Sequence, residues 1–99
     1  MSANDSATAL HAAHALLRDN RIADGLQALT VLANQNIVEA MHDLGLVLLM
    51  QATDAPDAAH AVQWLRRAEQ AGSVDAGYRL AVLSLADAAE ALDWQRLAE

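Results

Sequence analysis

The stretch Asp57 to Leu80, DAAHAVQWLRRAEQAGSVDAGYRL, leaves the chain little choice of fold. Apolar residues at Ala58, Ala61, Val62, Leu65 and Ala68 recur at three- and four-residue steps, which puts them on one face of a helix. Trp64 and Ala71 flank that stripe. Gly72 falls where the helix should end, because glycine alone enters the left-handed C′ conformation without steric cost. Ser73 follows as an N-cap, with Asp75 in the first turn of the next helix. Two helices joined so tightly form an antiparallel hairpin.

The remainder of the 99 residues is consistent with one all-α domain, near the lower end of what buries its own core. The chain is 55% hydrophobic but only 3% aromatic, so alanine and leucine, the strongest helix formers, supply most of the apolar content. Six basic residues, all arginine, stand against 13 acidic ones, a net charge of -7. Such a surface repels phosphate backbones, so nucleic acid is not an expected partner. The absence of cysteine excludes a disulfide framework and thiol chemistry. The first residues, MSANDSATAL, lack the basic flank and apolar core of a signal peptide, and no run reaches the ~18 apolar residues of a membrane span. A cytoplasmic protein with no membrane contact is the expectation, and the start reads as a native N-terminus.

In chain order, a first helix is expected from about Asn4 or Asp5, with Ala7, Leu10, His14 and Leu17 on one face and Asn20-Arg21 interrupting it. The second runs from Ile22 to Gln35 on the stripe Ile22, Leu26, Leu29 and Ala33. Asn36 with Glu39 three residues on reads as a capping box, which starts a third helix at Ile37. That helix contains GLVLLM, Gly45 to Met50, apolar nearly all round, and so is expected at the centre with neighbours on several sides. Pro56 and the aspartates around it end the third helix and open the fourth. A fifth runs from Val74 to about Ala86. Past Asp87 the chain either continues it or turns into a short sixth.

A shift of 36 residues aligns the chain with itself: Leu26, Gln27 and Leu29 meet Val62, Gln63 and Leu65, and Val38, Glu39, Ala40 and Leu44 meet Val74, Asp75, Ala76 and Leu80. Asp57 likewise meets Asp93. A period in the thirties built from two helices is the signature of an α-solenoid, in which each hairpin leaves an apolar face for its neighbour to cover.

The order Ala40, Leu44-Gly45, Asp57, Ala61, Trp64, Ala68, Gly72, Ala76, Leu80 resembles the Sel-1-like repeat (SLR), a relative of the tetratricopeptide repeat. Residues 40-75 match one whole unit, residues 76-99 start another, and residues 4-39 form a degenerate first one with Ala28 in the tryptophan place and Asn36 in the glycine place. Leu48 replaces an expected aromatic, Gln51 and Thr53 replace loop glycines, and Ala81 stands for a glycine in the last unit. The resemblance implies a fold of about two and a half stacked antiparallel hairpins, filling a single domain over 1-99. It also implies a scaffold or adaptor that binds a partner protein or peptide and is not itself an enzyme. A second reading makes the chain an N-terminal accessory or regulatory domain of a larger enzyme, such as an iron/2-oxoglutarate hydroxylase or a signalling enzyme.

A search for chemistry agrees with a non-catalytic module. His11, His14, His42-Asp43 and His60 are spread over three helices, where a metal site needs three or four ligands on one locus, so no metal or other cofactor is expected. Ser73 and Ser84 have no base nearby in sequence. Asp57 reads as steadying a helix start, and Trp64 as core. In tetratricopeptide-like solenoids the first helices line the concave face, so the resemblance nominates His14 on the first helix and Glu39, His42, Asp43, Leu46 and Met50 on the third. Tyr78, Arg79 and Val82 are their counterparts on the fifth. An unfinished solenoid end further suggests a homo-oligomer joined through Leu85, Leu92 and Trp94.

Overall fold

The computed structural model describes residues 3–84, and among these every regular element is a helix. Helix α1 spans Ala3–Arg18, α2 Ile22–Asn34, α3 Val38–Gln51 and α4 Ala55–Gln70. A fifth, α5, occupies residues 74–84. Each connection is three residues long, too short for anything but an antiparallel return. Among α1 to α4 the substantial packing is accordingly between consecutive helices.

Three of these helices close in the same way. Asn20, Asn36 and Gly72 stand at φ of 64°, 66° and 109°, the left-handed region. The amide after each donates back five residues: Arg21 to the carbonyl of Leu16, Ile37 to Leu32 and Ser73 to Ala68. The amides of Asn20, Asn36 and Gly72 themselves donate to Leu17, Ala33 and Glu69. This pair of bonds satisfies carbonyls that a helix end otherwise leaves open.

The capping box expected at Asn36 and Glu39 is therefore not formed. The N-cap of α3 is Ile37, without a side-chain cap bond. Asn36 is already committed to ending α2 in the left-handed conformation, and an N-cap must be extended. The two starts on the C-terminal side are capped by side chains. Ser73 Oγ accepts from the amide of Ala76 at 3.1 Å, as expected. Asp54 caps α4 by accepting from the amide of Asp57 at 2.9 Å, and Asp57 lies with Pro56 in the first turn, where its charge steadies the helix start as expected.

The core takes Leu10 and Ala13 from α1, Leu29, Leu32 and Ala33 from α2, Ala40, Met41 and Leu44 from α3, Trp64, Leu65 and Ala68 from α4, and Ala76 from α5. Leu29 and Leu65, 36 residues apart, are both fully buried, as are Ala40 and Ala76. Trp64 is core as expected, with the Arg67 guanidinium 4.4 Å from its ring centre. The small residues set the spacing. A Cβ on Gly45 would meet Leu65 Cγ and Cδ2 at 2.8 Å and the carbonyl of Ala61 at 3.1 Å, so α3 and α4 touch nearly backbone to side-chain root. Gly25 plays the same part against Leu17, at 2.6 Å.

Helix α3 departs from its expected enclosure. Its buried residues, Ala40, Met41, Leu44 and Gly45, lie in its first half, while Leu46 to Leu49 are half-buried and Met50 is 79% exposed. The exposed C-terminal end of GLVLLM has no covering neighbour among the described residues. Leu85, Leu92 and Trp94, on which the expected oligomer contact rests, lie outside them.

Gly45→Leu should lower the unfolding free energy by about 1–3 kcal/mol, because the added side chain has to displace Leu65 and the Ala61 carbonyl. Gly77→Ala makes the control, since its Cβ would meet only the carboxylate tip of Glu69, which can swing away. That variant should gain up to about 1 kcal/mol from helix propensity. Urea unfolding followed by circular dichroism reads both.

Candidate functional site

The nine nominated residues fall into two hollows that share the same walls. One, of about 650 Å³, is lined by His14, Glu39, His42 and Asp43 together with residues 71–75 at the start of α5. The other, of about 470 Å³, is lined by Leu46, Met50, Tyr78, Arg79 and Val82 with Leu49 and Leu83. Residues 39, 42/43, 46 and 50 descend one stripe of α3 at helical spacing, and 75, 78/79 and 82 descend the facing stripe of α5. The hollows are thus the two ends of one trough between α3 and α5.

The ends differ in character. At the far end Met50, Tyr78 and Val82 are 79%, 69% and 45% exposed, large apolar side chains with no cover among the described residues. Leu80, on the other flank of α5, packs instead against the core, and Leu83 reaches both the core and the hollow. At the near end the lining is acidic and imidazole-bearing. Glu39 lies in the first turn of α3 and Asp75 in that of α5, where carboxylates offset the partial positive charge of a helix N-terminus. Neither forms an ion pair among the described residues.

Sequence reasoning treated the histidines as scattered, yet two of them converge. His14 Nε2 lies 2.6 Å from Asp43 Oδ2, tying α1 to α3, and His42 Nδ1 lies 3.1 Å from Asp43 Oδ1. An ionised carboxylate only accepts, so both imidazoles donate to it. For a neutral His42 this puts the proton on Nδ1 and leaves Nε2 an acceptor. That nitrogen is buried and without a hydrogen-bond partner. His14 and Asp43 are 29 residues apart, not 36, so the repeat offset could not have paired them. Their meeting depends on how α1 is placed against α3 in the folded chain. His11 and His60 are exposed and do not join, and among the described residues no group of three or more histidine or carboxylate side chains is arranged so that it could hold a metal ion.

Ser73 shares the near hollow with His42, a base that sequence separation concealed. Its hydroxyl caps Ala76 and bonds neither imidazole, so the pair is not an activated nucleophile in this geometry. Among the described residues no helix is long and apolar enough to cross a membrane.

Against protein-family models, curated proteins and solved structures, the chain gives no match.

Asp43→Ala should cost about 1–3 kcal/mol, because it removes a charged acceptor shared by two partly buried imidazoles. Removing the exposed Arg21–Asp24 pair through Asp24→Ala should cost under about 1 kcal/mol. Urea titration gives both values. In Asp43→Ala, side-chain NMR should show His14 and His42 shifting together.

Proposed function

We propose that the chain is a short α-solenoid of about two and a half Sel-1-like units that binds a partner protein or peptide in the trough between α3 and α5, without chemistry of its own. One observation carries the reading. All nine residues nominated from the first-helix positions line two hollows that follow one another along α3 and α5, and the far one leaves Met50 and Tyr78 largely exposed. Large side chains that combine apolar area with a polar or polarisable tip are those that anchor protein interfaces.

Support for the repeat comes from correspondences 36 residues apart. Asn36 and Gly72 both close a helix at positive φ with the same pair of backbone bonds. Leu29 and Leu65 are both fully buried, and Gly25 and Ala61 both supply small buried surface. The α1–α2 unit differs where Ala28 replaces the bulk of Trp64, in keeping with a degenerate unit. The alternating placement also agrees. His14 of α1 reaches Asp43 of α3, and α3 faces α5 across the trough, so the odd-numbered helices share one side.

Tyr78→Ala and Arg79→Ala should each leave the thermal melt unchanged, because both side chains are exposed. The Tyr78 truncation should weaken a bound partner by about 2 kcal/mol or more. Affinity capture with the parent and the two variants side by side tests this. Loss of a captured protein in Tyr78→Ala at an unchanged melting temperature supports the reading. A Tyr78→Ala chain that unfolds, or that captures the same proteins equally well, removes the trough as the binding surface.

A further inference from the structure

We infer that the occupant of this trough is a cationic amphipathic segment, which places a lysine or arginine at the near end and bulky apolar side chains over Met50, Tyr78 and Val82. The inference rests on the trough being a binding surface and adds the chemistry of what it takes.

The argument is one of charge. The near hollow is lined by three carboxylates, Glu39, Asp43 and Asp75, and among the described residues by no arginine. The starts of α3 and α5 each contribute roughly half a positive charge, about one unit in all, so roughly two negative charges are left over. Asp43 is held by two imidazoles, but Glu39 and Asp75 are exposed and pair with no cation among the described residues. A chain of net charge -7 extends the same field beyond the hollow. The far hollow has the opposite bias, since Arg79 stands among its apolar residues and repels a cation seated there. The trough therefore has a direction, with the cation beside the first turns of α3 and α5 and the apolar anchors toward Met50.

Its length suits a short segment. From Glu39 to Met50 is 11 residues of α3, about 16 Å at the helical rise, which some 11 helical residues or about five extended ones would cover. The unpartnered Nε2 of His42 adds an acceptor at the near end.

Selection from a displayed library of random peptides of about 12 residues, long enough for either conformation, is the direct test. The full chain is the bait. Enriched peptides should combine a basic residue with bulky apolar ones. A synthetic peptide of the consensus should bind with an affinity that falls as salt rises. The double variant Glu39→Lys/Asp75→Lys should weaken it about tenfold or more, and the milder Glu39→Gln/Asp75→Asn less, with the circular dichroism of both still that of the folded parent and the melting temperature lowered only by the lost helix-start charges. Peptides that depend on Tyr78 and Met50 but carry no cation and ignore the charge reversal would overturn the inference and leave the binding surface standing. Peptides indifferent to Tyr78→Ala and Met50→Ala, or a library that yields no binder, would overturn both. A dimer in light scattering that Met50→Asp dissociates would make a second copy the occupant, and would likewise overturn the inference.

Discussion

A helix that ends in a residue at positive φ turns the chain back within three residues, and α1, α2 and α4 all end this way. That reversal fixes which helices can touch. With connections of three residues, each helix has no neighbour closer than the one just completed, and the core is assembled from consecutive pairs. Close pairs in turn demand small residues at the contact, which Gly25, Gly45, Ala61 and Ala68 provide. A large side chain at Gly45 would push α3 from α4 and take Leu65 out of its fully buried seat, worth about 1.5–3 kcal/mol of apolar burial. The turn and the small-residue face are thus one constraint in two places.

The same reversal generates the trough. Because α4 returns the chain, α5 starts beside the first turn of α3, and the two run on past each other with their facing stripes apart. Helix starts collect acidic residues, for reasons of the backbone dipole that concern each helix alone. Set side by side, Glu39 and Asp75 become a shared negative end. Between α1 and α3 the comparable hollow has Ser6, Ala7 and Leu10 on one wall and Ile37, Val38 and Glu39 on the other, so among the described residues one carboxylate faces it. Polarity of the stronger kind belongs to the α3–α5 pair.

How much of this was legible in the sequence follows from the range of each interaction. Gly72 and Ser73 were readable because a helix stop and an N-cap are made within a few residues, and both stand as expected. Asn36 was misread for the same reason in reverse. As a local pattern it fits a helix start as well as a helix end, and only the bond from Ile37 back to Leu32 decides between them. The stripes of α2 and α4 were found, since Leu29, Ala33, Ala61, Leu65 and Ala68 are all buried. Gly25, Leu32 and Ala13 were missed. A small or neighbouring residue adds nothing distinctive to a 3.6-residue period, yet it is buried wherever a second helix happens to lie against it. The apolar run of α3 predicted neighbours all round, but hydrophobicity reports what a helix tolerates and not what arrives to cover it; Met50 stays exposed.

The His14–Asp43–His42 cluster marks the limit of such reading. His42 and Asp43 are adjacent in sequence, and their bond at 3.1 Å needs no tertiary structure beyond the helix they share. The bond from His14, at 2.6 Å, needs α1 to cross α3 at a particular height, seven residues or two turns away from the position one repeat offset would pair. A repeat fixes which residues are equivalent. It does not fix which residues touch, because that is set by the tilt between successive helices, and the tilt comes from the packed volumes of many side chains together. Equivalence was enough to nominate the members of the trough one by one. The cluster at its head, which holds α1 to the trough's near end, is a product of the tilt, and so it emerges only when the helices are placed.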